Sequence, residues 1–352
     1  MRRKHFVIQI LVAGAVALTA VALPTGGVSA AQRVSRVTPS MRDAIRRGLA
    51  FLARYQHPDG SFASWGGGRQ TGMVAACATA FMAAGQVPGS GRYGKNVTRA
   101  LNYIIRSQHH NGLLYYDAYG YPPMYNQGLS VLALSEAYGE YPDSRLYGVL
   151  LKAVNLIVSA QDPSGGWRYQ PYPDGADLSV TVMQLMALRA ARECGIPVPA
   201  HVIRDGLAYV KSCHNAVGSG GDGGFCYMPG GASTFGCSGA GVTSLQVVGR
   251  QRDRAVLQGI HYLMRYAPLG HQTSGFYYYG LYYATMGIYQ GQNIGQAGRQ
   301  AWRRWYPAVV RNLLATQAKN GSWSADTPPM YSTGVAVLLL NIPTRVLPVY
   351  QR

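Results

Sequence analysis

The chain has 352 residues and a formal net charge of +18 at pH 7. This length is ample for one large hydrophobic core, and the basic excess favours anionic partners such as lipid headgroups, acidic polymers or nucleic acid. The sequence contains no groove-reading motif, which argues against nucleic acid as the partner. An anionic surface of the cell envelope is the better candidate.

The N-terminus has the order of features that is typical of a secretory signal peptide. Basic residues at Arg2–Lys4 precede an apolar run over Phe6–Leu23, and small residues follow at Val28–Ala30. We predict a signal peptide over 1–30 with cleavage after Ala30. Because the apolar run is long for a signal, an uncleaved membrane anchor is the alternative. Either reading places residues 31–352 outside the cytoplasm, as one domain.

A short pattern recurs along the rest of the chain: Gln, a polar turn containing Gly, and an apolar residue six positions after the Gln. Two weaker copies replace the Gln with Cys or Tyr. Successive anchors are 52, 53, 52, 53 and 51 residues apart, and such a fixed period predicts a repeat architecture. The six anchors are Gln56, Gln108, Gln161, Cys213, Tyr266 and Gln317.

Each repeat predicts two helices around this pattern. The first helix has an apolar stripe on one face, and these helices are predicted near Met41–Arg54, Val97–Ser107, Leu146–Ala160, Val202–Lys211, Arg254–Arg265 and Ala301–Thr316. The second is small and apolar nearly all round, and these helices are predicted near Thr71–Ala84, Gln127–Tyr138, Ser179–Leu188, Gly241–Arg250, Gly280–Tyr289 and Thr333–Leu340. Ser179 is predicted as an N-cap.

The two burial patterns predict two concentric layers, with the second helices inside and the first helices outside. An open superhelix would need a polar terminal cap. The last apolar helix is a poor cap, so the sequence favours a closed ring.

Five cysteines follow the signal segment. Cys213, Cys226 and Cys237 crowd one region, which predicts one disulfide among them in an oxidising compartment. The connectivity stays open, with Cys194 as a further candidate, while Cys77 is read as a small buried residue.

Several segments together resemble a known family. They are the Gln-turn-aromatic units, the pairing of Gly165–Gln170 with Asp177–Leu188, and the ending Ile342–Arg352. They resemble the QW/PFTB repeats of squalene–hopene and oxidosqualene cyclases and of protein prenyltransferase β subunits. The nearest likeness is to exported bacterial prenyltransferase/squalene oxidase repeat proteins, and it covers essentially the whole chain after the signal segment.

This resemblance implies an all-α (α/α)6 toroid of six helical hairpins, with a period of about 52 residues, around a central cavity. It also implies that the Gln and the aromatic residue of each repeat brace neighbouring helices. The residues in these roles would be Gln56, Phe62, Gln108, Leu114, Gln161, Trp167, Gln317 and Trp323.

The cyclases of this family use an Asp-rich DxDD motif to protonate an alkene. The nearest segment here is Asp174-Gly-Ala-Asp177, which lacks that spacing. Asp177 and Asp174 are therefore the candidate acids, and the alternative reading is an Asp placed at a helix N-terminus, where negative charge is favoured.

Prenyltransferase β subunits instead hold a zinc ion, which needs three converging protein ligands. Candidate ligands are available in Asp222, Cys226, Cys237, His214 and His271, but Asp222 and Cys226 do not form the family's Asp-x-Cys pair. We expect no metal and no other cofactor.

Aromatic residues are the remaining signal, because 26 Tyr stand against 7 Phe. Aromatic faces hold apolar polyenes and stabilise cations, although most of these residues are expected to serve packing. The candidate cavity residues are Trp167, Tyr172, Tyr125, Tyr278 and Tyr279.

The sequence thus favours an exported, monomeric toroid related to terpenoid cyclases and prenyltransferases. It would bind an isoprenoid or another apolar ligand and perform cyclase-like acid chemistry, although whether it is an enzyme stays open. One alternative is a non-catalytic module of the cell envelope. The other is a carbohydrate-active (α/α)6 enzyme that pairs two carboxylates drawn from Asp117, Asp174, Asp177 and Asp222.

Overall fold

The computed structural model describes residues 37–64, 70–116, 122–265, 276–324 and 327–344. The predicted signal peptide at 1–30, the anchor Tyr266, the candidate ligand His271 and the candidate carboxylate Asp117 lie outside these ranges. Within them, no helix is both long enough and apolar enough to cross a membrane.

The described ranges contain twelve α-helices that alternate between an outer and an inner layer. The outer helices are α1 (Pro39–Tyr55), α3 (Gly94–Arg106), α5 (Ser144–Ser159), α7 (Ala200–Ser212), α9 (Arg254–Arg265) and α11 (Gln296–Thr316). The inner helices are α2 (Thr71–Ala83), α4 (Pro123–Glu140), α6 (Leu178–Glu193), α8 (Phe235–Val247), α10 (Tyr277–Gln290) and α12 (Pro329–Asn341). A short antiparallel pair, β1 (Phe225–Cys226) with β2 (Ser233–Thr234), precedes α8 and was not predicted.

The outer and inner helices differ in burial, as their sequences predict. In α1, Thr38 caps the N-terminus by accepting a hydrogen bond from the backbone N–H of Met41, and Pro39 begins the helix. Its buried residues, which include Ile45 and Leu49, form one stripe, as expected of a helix with a single covered face. In α2, by contrast, every residue is buried.

The inner helices close into a ring. Each contacts the next in the order α2, α4, α6, α8, α10 and α12, and α12 returns to α2. The thiol of Cys77 on α2 donates to the carbonyl of Met330 on α12 across this closure. The predicted closed (α/α)6 toroid is confirmed, and the open superhelix is excluded.

We call the connections from an outer helix to the following inner helix joints: the first at 56–62, the second at 108–114, the third at 161–167, the fourth at 213–225 and the last at 317–323. In four of them the Gln side chain donates from Nε2 to a backbone carbonyl of the next outer helix. The donor and acceptor pairs are Gln56 and Asn96 (3.0 Å), Gln108 and Val149 (2.8 Å), Gln161 and Val202 (2.8 Å), and Gln317 and Ala44 (2.9 Å).

The Gly of the joint explains how the chain comes so close to its neighbour. Gly165 has φ 96°, and a Cβ placed on it would lie 2.2 Å from the carbonyl oxygen of Asp205 on the next outer helix. Gly321 has φ 94°, with Arg47 as the corresponding neighbour at 2.5 Å. Only glycine combines this backbone conformation with this approach.

Most helices start a few residues earlier than predicted, and three of these starts have a clear cause. The N-cap of α6 is Asp177 rather than Ser179, because the Asp177 carboxylate accepts from the backbone N–H of Val180. The helix α8 begins at Phe235, ahead of the predicted Gly241, because Thr234 caps a first turn of small residues. The helix α11 begins at Gln296, since its first turn is polar and lies outside the apolar stripe.

Candidate functional site

Asp177 lies at the centre of the candidate site and is fully buried. As the N-cap of α6, its Oδ1 atom accepts hydrogen bonds from the backbone N–H of Val180 at 2.9 Å and from the hydroxyl of Ser179 at 2.6 Å. A carboxylate at this position satisfies the free N–H groups of the helix terminus and is stabilised by the helix dipole. Oδ1 therefore has the role of a helix N-cap, as the alternative interpretation of Asp177 predicts.

The third joint holds Asp177 in place from the other side. The backbone N–H of Asp177 donates to the carbonyl of Trp167 at 3.0 Å. The N–H of Trp167 in turn donates to the hydroxyl of Thr181 at 3.0 Å, one turn into α6. The indole N–H of Trp167 donates to the carbonyl of Ile157 on α5 at 2.7 Å. The backbone of Trp167 thus positions Asp177, and the indole anchors that backbone between the two layers.

One chain of hydroxyl groups leaves Oδ1. The hydroxyl of Ser179, which donates to Oδ1, lies 2.7 Å from the phenol of Tyr125 in the first turn of α4. Both Ser179 and Tyr125 are only partly buried. A hydrogen-bonded path therefore runs from the buried carboxylate to a phenol that solvent or a ligand can reach.

Two further phenols, Tyr169 and Tyr227, form a pair beside the carboxylate, and Tyr227 interacts with Asp177. Their hydroxyls lie 2.5 Å apart, and the backbone carbonyl of Tyr227 accepts from the N–H of Leu178 at 2.9 Å. Burial, the hydrogen bond with Tyr169 and the nearby negative charge of Asp177 all raise the pKa of Tyr227. Tyr227 is therefore a neutral phenol over the physiological range.

The second carboxylate oxygen, Oδ2, has a different environment from Oδ1. It is buried, and no donor in the described part of the chain meets it with good hydrogen-bond geometry. The phenol of Tyr227 is the neighbouring donor that is close enough to interact with the carboxylate. Buried acceptors usually have a partner. Oδ2 is therefore the atom of this site that is available to carry a proton or to accept a hydrogen bond.

The inner helices α8 and α10 complete the site. Tyr279, in the first turn of α10, interacts electrostatically with Cys237 of α8, with Tyr125 and with Asp177. Burial raises the pKa of Tyr279 well above its ordinary value, and its hydroxyl has no hydrogen-bond partner within the ranges described. Burial also raises the pKa of the Cys237 thiol, to about 11, so Cys237 is a neutral thiol rather than a nucleophilic thiolate.

The N-terminal ends of these inner helices and the segments that contain Tyr169 and Tyr227 thus surround the Asp177 carboxyl with phenols. We call the residues Tyr125, Tyr169, Asp177, Ser179, Tyr227 and Tyr279 the tyrosine site. Among the described residues, no Lys, Arg or His forms an ion pair with Asp177. The groups that face this carboxyl within the described ranges are a helix terminus and hydroxyl groups.

The structure brings together three of the residues singled out in the sequence, Asp177, Tyr125 and Tyr279. The other four candidates do not present a side chain to this site. Asp174 is exposed in the turn before α6, and Tyr172 is 57% exposed beside it. Trp167 and Tyr278 are both fully buried, so neither presents a surface to a ligand in this conformation.

Tyr169, Tyr227 and the hydroxyl of Ser179 were missed by the sequence reasoning. A signal for the phenols was present, since Tyr169 follows Trp167 by two residues and Tyr227 follows Phe225 by two. The two tyrosines therefore occupy equivalent positions, two residues after the ends of consecutive joints.

Neither a zinc site nor a pair of carboxylates is assembled here. The described residues contain no group of three His, Cys, Asp or Glu side chains that could hold a metal ion. Asp222 is exposed and accepts from the N–H of Gly224 and the hydroxyl of Ser233. With Asp174 and Asp222 exposed and Asp177 buried, these three do not face one another.

Solved structures with the same fold include enzymes of two chemistries. The apo type II terpene cyclase MstE from Scytonema superposes with a TM-score of 0.59 at 15% identity, covering 88% of this chain and 100% of that chain. A single-residue variant of that cyclase in complex with geranylgeranyl dihydroxybenzoate gives the same score and identity over 88% of this chain and 98% of that chain. The GH76A α-1,6-mannanase of Salegentibacter gives 0.65 at 9% identity, covering 87% and 99%.

At these identities the likeness shows the fold alone. No protein-family model matches the chain, and no curated protein is significantly similar to it in sequence. The (α/α)6 toroid is thus shared with a terpene cyclase and with a mannanase, and the chemistry has to be argued from the tyrosine site.

Proposed function

We propose that this chain is a terpenoid-cyclase-like toroid that binds an isoprenoid or a comparable apolar ligand at the tyrosine site and performs acid chemistry there. The observation that carries the proposal is the buried carboxylate of Asp177 with four phenols around it, two at inner-helix N-termini (Tyr125 and Tyr279) and two in the connecting segments (Tyr169 and Tyr227). Aromatic faces accommodate a polyene and stabilise a carbocation. The complex of MstE with geranylgeranyl dihydroxybenzoate supports an isoprenoid ligand for this fold.

A route for the proton follows from the hydrogen bonds of Asp177. Since Oδ1 already accepts from Ser179 and Val180, a proton on this carboxyl group resides on Oδ2. From Oδ2 it passes to the phenol of Tyr227, whose own proton moves to Tyr169. Tyr169 then gives its proton to the ligand, so that an O–H bond breaks, a C–H bond forms and Asp177 is left as the carboxylate.

The remaining sequence candidates have secondary roles in this proposal. Tyr125 and Tyr279 line the site, and the exposed Tyr172 contacts a ligand near the entrance. Asp174 takes no part, because it is exposed and separated from the phenols by the turn. Trp167 and Tyr278 act through packing. The chemistry needs neither a metal nor another cofactor.

We further propose that the chain is exported and works as a monomer at an anionic surface of the cell envelope. The basic character of the outer layer supports this partner. The helix α11 carries no acidic residue, and its exposed basic side chains are Arg299, Arg303, Arg304 and Arg311. Clustered arginines attract anionic headgroups and acidic polymers.

Polysaccharide cleavage is the second candidate, favoured by the TM-score of 0.65 with the GH76A mannanase. That chemistry generally needs two carboxyl groups on either side of the glycosidic bond. Among the described residues only Asp177 contributes a carboxylate to the tyrosine site, which is why we place the isoprenoid proposal first. A structural module without chemistry is the third reading.

The test uses purified full-length chain, incubated separately with geranylgeranyl dihydroxybenzoate, squalene and α-1,6-mannotriose. Products are followed by mass spectrometry, together with a lipid extract of the protein as purified. We expect turnover of an isoprenoid probe, and a loss of about 100-fold or more in Asp177→Asn. The exposed Asp174→Asn is the matched control and should keep the full rate.

Three outcomes would count against the proposal. Cleavage of mannotriose with no isoprenoid turnover would favour the carbohydrate reading. An active Asp177→Asn variant would remove Asp177 as the acid. A protein that neither carries nor binds any apolar ligand would leave the structural module as the best account.

A further inference from the structure

The fourth joint lacks the side chain that fastens the other joints. Cys213 stands where four joints have Gln, and its thiol is too short to reach a carbonyl of the next outer helix as Gln161 reaches Val202. The segment that follows is also rich in glycine. The glycines between Cys213 and Phe225 are Gly218, Gly220, Gly221, Gly223 and Gly224.

Backbone pairing places a second cysteine directly opposite Cys213. His214 and Phe225 form an antiparallel bridge, so the next pair in that register is Cys213 with Cys226. The N–H of Cys226 donates to the carbonyl of Cys213 at 2.9 Å. The thiol of Cys226 donates to the same oxygen at 3.1 Å.

This register suits a covalent link. Residues directly opposite in an antiparallel pair point to the same face, with Cα atoms about 5.5 Å apart at a hydrogen-bonded position. Disulfides span Cα separations of about 4.4–6.8 Å. Both side chains are fully buried, so once formed the bond would be shielded from reductants.

The other thiols are worse partners. Cys77 lies on α2 and donates to Met330, and Cys194 lies at the end of α6 and donates to Ala191. Cys237 is near Cys226 but lies in the first turn of α8, outside the bridge register. All five cysteines are free thiols in the structure.

We propose that Cys213 and Cys226 form a disulfide when the chain folds in oxidising conditions, and that this bond closes the fourth joint as the hydrogen bond from Gln to the Gly carbonyl closes the first, third and last joints. The two thiols lose two protons and two electrons as the S–S bond forms. A disulfide-bearing oxidant, either a dithiol oxidoreductase or oxidised glutathione, accepts them and is reduced to thiols. The exchange takes place before Phe225 packs, while the thiols are still accessible.

The bond has a consequence for the tyrosine site, and this step rests on the proposed function. Tyr227 follows Cys226 directly, and its carbonyl accepts from the N–H of Leu178 at the start of α6. A link from Cys226 to the end of α7 therefore holds the phenol of Tyr227 beside Asp177 on a segment that is otherwise rich in glycine.

The pairing is tested on full-length protein that has been denatured, reduced and refolded in a mixture of reduced and oxidised glutathione. Free thiols are alkylated, and the chain is cleaved before Asp222 and after Phe235, because these cuts separate Cys213, Cys226 and Cys237 from one another. We expect an intact mass lower by two hydrogens, and a linked peptide pair that joins Cys213 to Cys226. A link to Cys237, or alkylation of all five thiols, would overturn the proposal.

The effect on stability gives a second readout. Closing this loop should raise Tm by roughly 5 °C over the reduced protein. The shift should vanish in Cys213→Ser and in Cys226→Ser and persist in Cys194→Ser, which changes a partly exposed thiol on another helix. If the serine variants do not fold, the peptide mapping on the wild-type chain still decides the question. The mapping needs no ligand, so it is independent of the isoprenoid proposal.

Discussion

The third joint and the last joint are built from the same contacts, yet only the third lies against the candidate site. In both, the Gln donates to the Gly of its own turn, at 2.7 Å for Gln161 and 2.9 Å for Gln317. The indole N–H donates to an outer-helix carbonyl at 2.7 Å in both Trp167 and Trp323.

The two joints diverge only where the inner helix starts. Each Trp backbone N–H donates at 3.0 Å to a threonine, Thr181 in one case and Thr333 in the other. Four residues before that threonine the third joint has Asp177, whereas the last joint has Pro329, and its helix has no side-chain cap. The repeat therefore retains the joint, whereas Asp177 of the candidate site has no counterpart in the last repeat.

Replacing the Trp of each joint should have the largest effect on stability and tests whether the two joints are equivalent. Trp167→Ala and Trp323→Ala should each lower the free energy of unfolding by about 3–5 kcal/mol, because both rings are fully buried. Guanidinium unfolding followed by circular dichroism gives the values. Equal losses would support a common joint.

The same pair of variants separates the joint from the site. Trp167→Ala should also weaken binding of an isoprenoid probe, since the buried indole, hydrogen-bonded to Ile157, fixes the backbone carbonyl that accepts from Asp177, whereas Trp323→Ala should leave the affinity of the folded protein unchanged. Equal loss of affinity in the two variants would show that the third joint has no special role in ligand binding.

Substituting the joint glycines should have the next largest effect. Gly165→Ala and Gly321→Ala each force a positive φ on alanine and place a Cβ 2.2 or 2.5 Å from a backbone oxygen. Strain and overpacking together should cost about 2–4 kcal/mol in each case, measured by the same unfolding assay. Gly195 is the matched control, because it has φ 90° but nothing within 4 Å, so Gly195→Ala should cost only about 1 kcal/mol. Equal costs at all three positions would mean that the close approach is unimportant.

The hydrogen bonds of the joint Gln side chains, which we call clamps, should contribute less to the free energy of unfolding. Gln161→Leu and Gln317→Leu each remove two hydrogen bonds to backbone carbonyls and should cost about 1–3 kcal/mol. Gln296→Leu, at the exposed start of α11, is the control and should change the unfolding free energy little. A clamp variant as stable as this control would show that the Gly and Trp contacts suffice to hold neighbouring outer helices.

The fold was predictable from the sequence because it depends on features that repeat. The period fixed the number of helix pairs, and the difference between one-faced and all-round apolar helices fixed the two layers. The apolar sequence of Val335–Leu340 was enough to predict ring closure, since that helix is buried against α2. The starts of α8 and α11 were placed too late because small or polar first turns carry no apolar period.

The site was only partly predictable, since its contacts join distant segments. Asp177 could be found because it precedes a helix by one residue, and Tyr125 and Tyr279 because they open inner helices. The contact between Tyr169 and Tyr227 spans 58 residues, and no local pattern shows that their hydroxyls meet. For Trp167 and Tyr278 the sequence gives no way to tell a ring that packs inward from a ring that faces a ligand.

The fourth joint offers the smallest predicted effect and extends the comparison to a joint without a clamp. His214 is next to Cys213, and its ring packs on Phe225 with centroids 4.8 Å apart. Burial lowers the pKa of His214 below its ordinary value of 6.5. The unfolded chain therefore binds this proton more readily than the folded chain. Stability is complete above about pH 6.5 and falls as the pH drops below that value.

Thermal unfolding at about pH 7.5 and about pH 5.5 brackets this titration. We expect part of the decrease in Tm between the two values to disappear in His214→Gln, whose side chain stays neutral. His57→Gln, which changes the residue after the Gln of the first joint, is the control and should retain the full decrease. If His214→Gln keeps the same decrease as the wild type, the imidazole is not buried in solution as it is here, and the fourth joint is open enough to hydrate His214. That result would also weaken the argument that Cys213 and Cys226 are held in register beside it.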